Sequence, residues 1–385
     1  MPWPHDEPKL ERVRALMAER GLDALVVRAP DNVLYLTNFW GMKGFEACVF
    51  PREGDPTLVC LRPSADDAAR TAWTADLRFF DGYDASDPRP PGLRALDLAR
   101  EAAAEYGQVG LELSLGTQAT DRMVGEPTTF PRAWFDAFPA ADDATPLLAE
   151  ARAVKTEQEI ERMRLANEIA AAATEHVQGV LRPGMTCARA AAEWQGFVHG
   201  EGTGWNGQVE LALPFSLVWS GPSIKTFTAT TADPIVENEP TLFEIWVCAD
   251  GYWADHTKNL CPGSLSPRYA ELLDQLTGVY DDAVGFCRPG ASLAELDRRV
   301  RDGIAAAGYE GQPSHPICHG IGARAHEPPY AHQAGGGELA ENMVLAIEPG
   351  IYWPEGGGLR LEDNFLITAD GPEKLSPFPD GVVEI

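Results

Sequence analysis

The sequence has little positive charge. Its 385 residues include 31 Lys and Arg against 58 Asp and Glu, for a formal net charge of -27. A protein that neutralises phosphates needs a basic face, so nucleic acid and anionic membranes are not expected as partners. Long apolar runs are also missing. No stretch approaches the roughly 18 apolar residues of a membrane span. The opening MPWPHDEPKLERVRALMAERG has no apolar signal core. Paired cysteines are absent too. Cys48, Cys60, Cys187, Cys248, Cys261, Cys287 and Cys318 are odd in number and form no CxxC. Reduced thiols in a cytoplasm are the expectation.

The apolar share is ordinary, and domains run roughly 100–200 residues each, so two domains are expected. Lys9 to Arg20 places Leu10, Val13, Leu16 and Met17 on one helical face, and Gly21 stops it. DALVVRAP, ACVF, TLVC and VGLEL read as strands, and LRALDLAREAAAEYG as a helix. This alternation predicts an α/β layer structure over about residues 1–130. FPRAWFDAFPAADDATP, rich in Pro, Asp and Ala, is the candidate linker.

From about Leu148 the pattern changes. A long amphipathic helix, KTEQEIERMRLANEIAAAATEHVQGVL, ends at Arg182-Pro183-Gly184, and a second, ARAAAEWQGFVHGEG, stops at Gly202. The same sentence recurs. SPRYAELLDQLTGVYDDAVGF ends at Arg288-Pro289-Gly290, and SLAELDRRVRDGIAAAG stops at Gly308. Both stops repeat at an offset of 106 residues. The expectation is an internal duplication, two helix–turn–helix–strand halves in one domain, with a site between them drawing ligands from both.

Five positions stand out as chemistry. Glu244 lies in the apolar run LFEIWV. Asp255 follows eleven residues later, after a turn at Asp250-Gly251. That pattern predicts a hairpin aiming both carboxylates at one point. His319 sits in CHGIG, Glu348 in MVLAIEPG and Glu362 in LRLEDNFLIT. Buried carboxylates without partners cost several kcal/mol, and four together repel one another. A divalent cation reverses that logic. Oxygen and imidazole donors suit manganese, cobalt, iron or zinc. Such metals acidify water near neutral pH, alone or as pairs roughly 3.5–4 Å apart. The bland alternative, a solvated set of unrelated acids, fits poorly with apolar strands.

The strings Gly251-Tyr252-x-x-Asp255-x-Thr257, His315-x-x-x-His319-Gly320-Ile321-Gly322, His326-Glu327-x-Pro329, Glu348-Pro349-Gly350 and Arg360-x-Glu362-Asp363 resemble those of the pita-bread family of creatinase, methionine aminopeptidase and prolidase. DNVLYLTNFWG, KTEQEI and the repeated Arg-Pro-Gly turns match as well. The resemblance covers nearly the whole chain. It implies an α/β N-terminal creatinase-type domain over about 1–145, and an α+β pita-bread catalytic domain with an internal pseudo-twofold repeat over about 148–385. It implies a metallopeptidase acting on short peptides, similar to Xaa-Pro dipeptidases, with one or two divalent ions (Zn, Mn or Co). A homodimer is also implied.

By position, Asp255 and Glu362 look like bridging metal ligands, and His319 and Glu348 like ligands of one metal. Glu244 sits where the family has an aspartate ligand. Glu348 or a neighbouring carboxylate also serves as general base in this reading. His326 resembles the histidine that contacts substrate and stabilises the tetrahedral intermediate. His315 and Arg360 match further active-site positions, and Thr257 a supporting one.

Two departures from the family pattern are visible. Glu244 replaces the aspartate, adding about 1.5 Å of reach, against a tolerance of about 0.2 Å in ligand distance. Trp246 replaces a nearby glycine and narrows the site. A single-metal centre is one consequence. Thr228 also stands where proline-specific members carry a histidine, and Ser223 where they carry an asparagine. Lys225, Ser223 and Thr226 are then candidates to bind a free substrate carboxylate, with Thr228 and, on a flanking loop, His332 as further candidate substrate contacts. This motivates a carboxypeptidase on the same fold as an alternative. A creatinase-like amidinohydrolase or lyase, and a non-enzymatic binding module, are further alternatives that usually lose metal carboxylates.

Overall fold

The computed structural model describes residues 3–41, 44–113, 129–226 and 228–385. The chain divides into two compact units, 1–152 and 153–385.

The first unit opens with α1 (Glu7–Glu19), capped by the Asp6 carboxylate accepting from the Lys9 N–H at 3.3 Å. Gly21, at φ +67°, releases the chain into β1 (Ala24–Val27), which is buried along its length. Then come α2 (Pro30–Thr37), β2 (Ala47–Pro51), β3 (Thr57–Leu61), α3 (Ala65–Thr71), β4 (Asp76–Phe80), α4 (Pro91–Ala103), β5 (Val109–Leu111), α5 (Thr129–Ala137), β6 (Asp142–Asp143) and α6 (Thr145–Ala153). The six strands form one mixed sheet in the order β4-β3-β2-β1-β5-β6. Apolar clusters lie on both faces. Leu25, Val27, Cys48 and Phe50 join α1 and α6 on one, and Val26, Val49 and Val59 join α4 on the other. The linker reading of 130–146 is corrected here. Trp134 and Ala144 are fully buried, so α5 and β6 belong to this unit despite their Pro and Asp content.

The second unit begins with α7 (Glu157–Val180) and α8 (Cys187–Phe197), followed by β7 (Ala212–Ser220), β8 (Thr241–Ala249) and β9 (Tyr252–Cys261). The second half repeats the plan with α9 (Pro267–Phe286), α10 (Leu293–Ala306), β10 (Cys318–Gly320), β11 (Glu327–Tyr330), β12 (Val344–Ile347), β13 (Gly350–Tyr352), β14 (Gly358–Arg360), β15 (Asp363–Thr368), β16 (Gly371–Lys374) and β17 (Val382–Glu384). The duplication is visible in hydrogen bonds. Gly184 (φ +81°) and Gly290 (φ +84°) turn the chain in the same way, and Thr186 and Ser292 each cap the next helix. The Gly184 N–H donates to the Ile235 carbonyl at 3.0 Å, and the Gly290 N–H to the Leu339 carbonyl at 2.7 Å. The second stop is less symmetric. Gly308 is left-handed at φ +94°, whereas Gly202 closes a π-turn, where a Cβ would meet Ile169 at 2.8 Å.

Two sheets carry the site. One has the order β17-β9-β8-β7, the other β11-β10-β12-β15-β16, with β13 and β14 as a separate ribbon. The predicted hairpin is present as β8 and β9, joined by Asp250 (φ +47°) and Gly251 (φ +86°). Positive φ at both turn residues matches the right-handed twist of the flanking strands.

Candidate metal centre

Strand register decides which hairpin side chains share a face. Glu244 lies directly across from Thr257, and Trp246 from Asp255, so these four project to one side. On the other sheet His319 pairs with Ala346, and Glu348 follows β12 with its N–H held by the Ile317 carbonyl at 2.9 Å. Glu362 stands between β14 and β15 and bridges to Thr257. Ligand atoms of His319, Glu348 and Glu362 lie within 4.8 Å of one another, as do those of Asp255, His319 and His326. Side chains more than a hundred residues apart in sequence thus converge.

The donor chemistry fits a divalent metal. Asp255 is 1% exposed, and neither of its carboxylate oxygens has a hydrogen-bond partner among the described residues. The same holds for Nε2 of His319, 3.6 Å from Asp255 Oδ2 and 3.5 Å from Glu348 Oε1. His319 Nδ1 lies 2.9 Å from the Gly320 carbonyl, which places the proton there and leaves the Nε2 lone pair facing the carboxylates. Burial pushes the Asp255 and Glu348 carboxyls well above their ordinary range, and the neighbouring carboxylates add to it. Burial raises Glu362 as well. The imidazoles move the other way, with burial lowering His319 to about 4, His315 to about 3 and His326 to about 2. Neutral imidazoles beside strained carboxylates are the state a cation selects.

The surroundings fix these groups. The Asn364 amide imitates a strand partner of Asp255, accepting from its N–H at 3.0 Å and donating to its carbonyl at 2.9 Å. The Thr257 hydroxyl donates to Glu362 Oε2 at 2.6 Å and accepts from Nε of Arg360. His315 lies 3.4 Å from Glu348 Oε2, and its Nε2 is 3.1 Å from the Tyr352 hydroxyl. Beside His326, Glu327 forms a buried ion pair with Lys155 at 3.0 Å. A Cβ at Gly322 would collide with Glu327 at 2.6 Å, so this glycine lets that ion pair form.

Glu244 is placed differently from the other four expected ligands. Its Oε2 lies 3.0 Å from Arg360, and it belongs to neither convergent group. Arg360 reaches Glu362 at 3.4 Å and Glu348 at 3.9 Å as well. His326 Nε2 lies 3.5 Å from Asp255 Oδ2, and its ring centroid is 4.3 Å from that of His319. The expected substrate contacts are less engaged with these groups. Ser223 uses its hydroxyl within its own turn, accepting from the Ser220 N–H and donating to the Ser220 carbonyl, both at 2.9 Å. Lys225, Thr228 and His332 are exposed, and His332 Nδ1 accepts from the Ala334 N–H at 3.0 Å. Sequence reasoning missed Tyr352 and Asn364. Tyr352 follows Glu348 by four residues in EPGIY, a weak signal, and Asn364 gave none.

Two convergent sets of potential metal ligands thus lie in a duplicated helix–strand scaffold. The chain belongs to metallopeptidase family M24, whose pattern it matches over residues 161–369. Residues 9–166 match the creatinase/prolidase N-terminal domain. An Xaa-Pro dipeptidase of Lactobacillus delbrueckii subsp. lactis is 26% identical over 376 residues, covering 94% of this chain and 95% of that one. The prolidase of Pyrococcus horikoshii OT3 superposes with a TM-score of 0.79 at 23% identity, covering 97% and 99% of the two chains. A dipeptidase, PepE, from Mycobacterium ulcerans does so with a TM-score of 0.78 at 25% identity, covering 98% of each. The two-domain creatinase and pita-bread architecture expected from the sequence is therefore present. Among the described residues no helix is long and apolar enough to cross a membrane.

Proposed function

We propose that the protein is a dipeptidase of the Xaa-Pro type, cleaving short peptides with Asp255, His319, Glu348 and Glu362 around a divalent manganese, cobalt or zinc ion. The observation that carries this reading is the convergence of Asp255, His319, Glu348 and Glu362 in a buried cluster. When bound, the metal supplies Lewis acidity, acidifying a water and polarising the scissile carbonyl. The protein's own groups do the rest. Glu348 is the general base, since burial makes its carboxylate more basic than an ordinary one and so a better proton acceptor at Oε1 or Oε2. His315 lines that carboxylate, its Nδ1–H donating to the Pro316 carbonyl at 2.6 Å and its Nε2 held at the Tyr352 hydroxyl. His326, neutral and 17% exposed in its side chain, borders both Asp255 and His319 and donates to the oxyanion that develops on the substrate. Arg360 fixes Glu244 and tempers the mutual repulsion of the carboxylates.

The carboxypeptidase, amidinohydrolase and lyase alternatives have less support, because the relatives above are named dipeptidases and a prolidase, and Asp255, Glu348 and Glu362 stand where the family pattern carries metal carboxylates. A screen of Xaa-Pro dipeptides, tripeptides ending in the same pair, and longer peptides tests the reading. Free dipeptides are expected to be cleaved, with the longer peptides left intact. Release of single residues from the C-terminus of long peptides, with dipeptides untouched, would establish the carboxypeptidase instead.

A further inference from the structure

The hairpin face that carries Asp255 also carries a large aromatic side chain whose polar atom has no assigned task. Trp246 lies directly across from Asp255 and is 5% exposed. Its ring packs between Phe215, at 5.3 Å between centroids, and His326, at 6.4 Å. Among the described residues its indole N–H meets no acceptor at ordinary hydrogen-bond distance. A buried donor left unmade costs about 1–3 kcal/mol, so its position beside a ligand calls for a reason.

Two residues earlier on the same face, Glu244 points to Arg360 rather than to the convergent ligands. Arg360 is 3% exposed and stands within 4 Å of three carboxylates. A fixed guanidinium there repels a nearby divalent cation, and an indole N–H offers a metal no lone pair. On this side of the site a second ion would meet one carboxylate already neutralised, one resident cation and one ring. Asp255, His319, Glu348 and Glu362 remain for a single ion, with Arg360 within 4 Å of Glu348 and Glu362 but unpaired with Asp255 or His319.

We propose that the centre holds one divalent ion per chain, with Trp246 and the Arg360–Glu244 pair filling the place of a second, and that Trp246 is a positioning residue for Asp255. One oxygen of Asp255 then takes the indole N–H, and the other is turned to the metal. The inference rests on the metal-dependent reading above and refines it.

Full-length protein stripped of metal and dialysed to equilibrium against manganese tests it, with bound metal counted per chain by elemental analysis and the ion's environment read by electron paramagnetic resonance. The expected result is one manganese per chain at saturation, with a signal free of coupling between ions. Trp246→Phe, which keeps the ring and removes the N–H, is expected to bind one ion about tenfold more weakly, the low end for a partner that orients a ligand. Two tightly bound, spin-coupled ions in the natural protein would overturn the proposal while leaving the metal-dependent dipeptidase standing. No bound ion would overturn both. Unchanged affinity in Trp246→Phe would overturn the positioning role.

Discussion

Asp255→Asn is expected to lower kcat/KM for an Xaa-Pro dipeptide by about a thousandfold. A metal ion contributes several kcal/mol to stabilising charge in the transition state, and each 1.36 kcal/mol is tenfold in rate, so about 4 kcal/mol gives that factor. The change is nearly isosteric. The backbone contacts to Asn364 and the hairpin register do not involve the altered atom, so the fold is kept. What is lost is a charge whose two oxygens are committed to no hydrogen bond among the described residues. In metal-stripped protein the same substitution is expected to act in the opposite direction, raising stability, because one member of a repelling set has been neutralised. A kinetic assay and a denaturant titration on the same two proteins read both effects. Asp255→Asn with full activity, or with lower metal-free stability than the natural protein, would count against Asp255 as a metal ligand.

Metal-stripped protein is also expected to lose stability as pH rises from 6.5 to 8, and metal is expected to restore it. Burial is the largest cause of the raised carboxyls at Asp255, Glu348, Glu362 and Glu244, with neighbouring carboxylates adding at Asp255 and Glu348. An acid whose pKa is higher in the folded state binds more protons there than in the unfolded chain. Stability then falls with pH from the unfolded value, about 4, up through the folded one. Asp255 and Glu348, raised furthest, carry the loss over the widest range of pH. His315, His319 and His326 are lowered in the fold, so they add stability as pH rises only until the unfolded value of about 6.5 is passed. Above that they are silent, whereas the buried thiols, also raised in the fold, add to the fall only near the upper end of the window, where unfolded thiols of ordinary pKa about 8.5 begin to ionise. A ligand at a thousand times its Kd adds about 4 kcal/mol. Denaturant midpoints at pH 6.5 and 8, with and without manganese, give the comparison. A flat metal-free profile would mean that these carboxyls are not raised in the folded state.

Much of the centre could be read from the chain. The carboxylates betrayed themselves because they interrupt apolar strands, where an unpaired charge is costly, and because turn residues such as Asp250-Gly251 fix the hairpin locally. The duplication was legible for a similar reason, since Arg182-Pro183-Gly184 and Arg288-Pro289-Gly290 act on the backbone directly. What escaped depends on register and long-range packing. Asn364 matters because it lies beside Asp255 across two strands, which nothing in its own neighbours announces. Ser223 looked available from sequence, yet its hydroxyl closes its own turn. Glu244 read as one more ligand, and only the placement of Arg360, 116 residues later, shows where its charge is engaged. The segment 130–146 looked like a linker by composition, and burial of Trp134 and Ala144 made it part of a domain.

An anomalous-scattering map of crystals grown with manganese, collected near the metal's absorption edge, tests the central claim most directly. A peak enclosed by Asp255, His319, Glu348 and Glu362 is the predicted result. A peak elsewhere, with those four side chains making only contacts to one another, would contradict it.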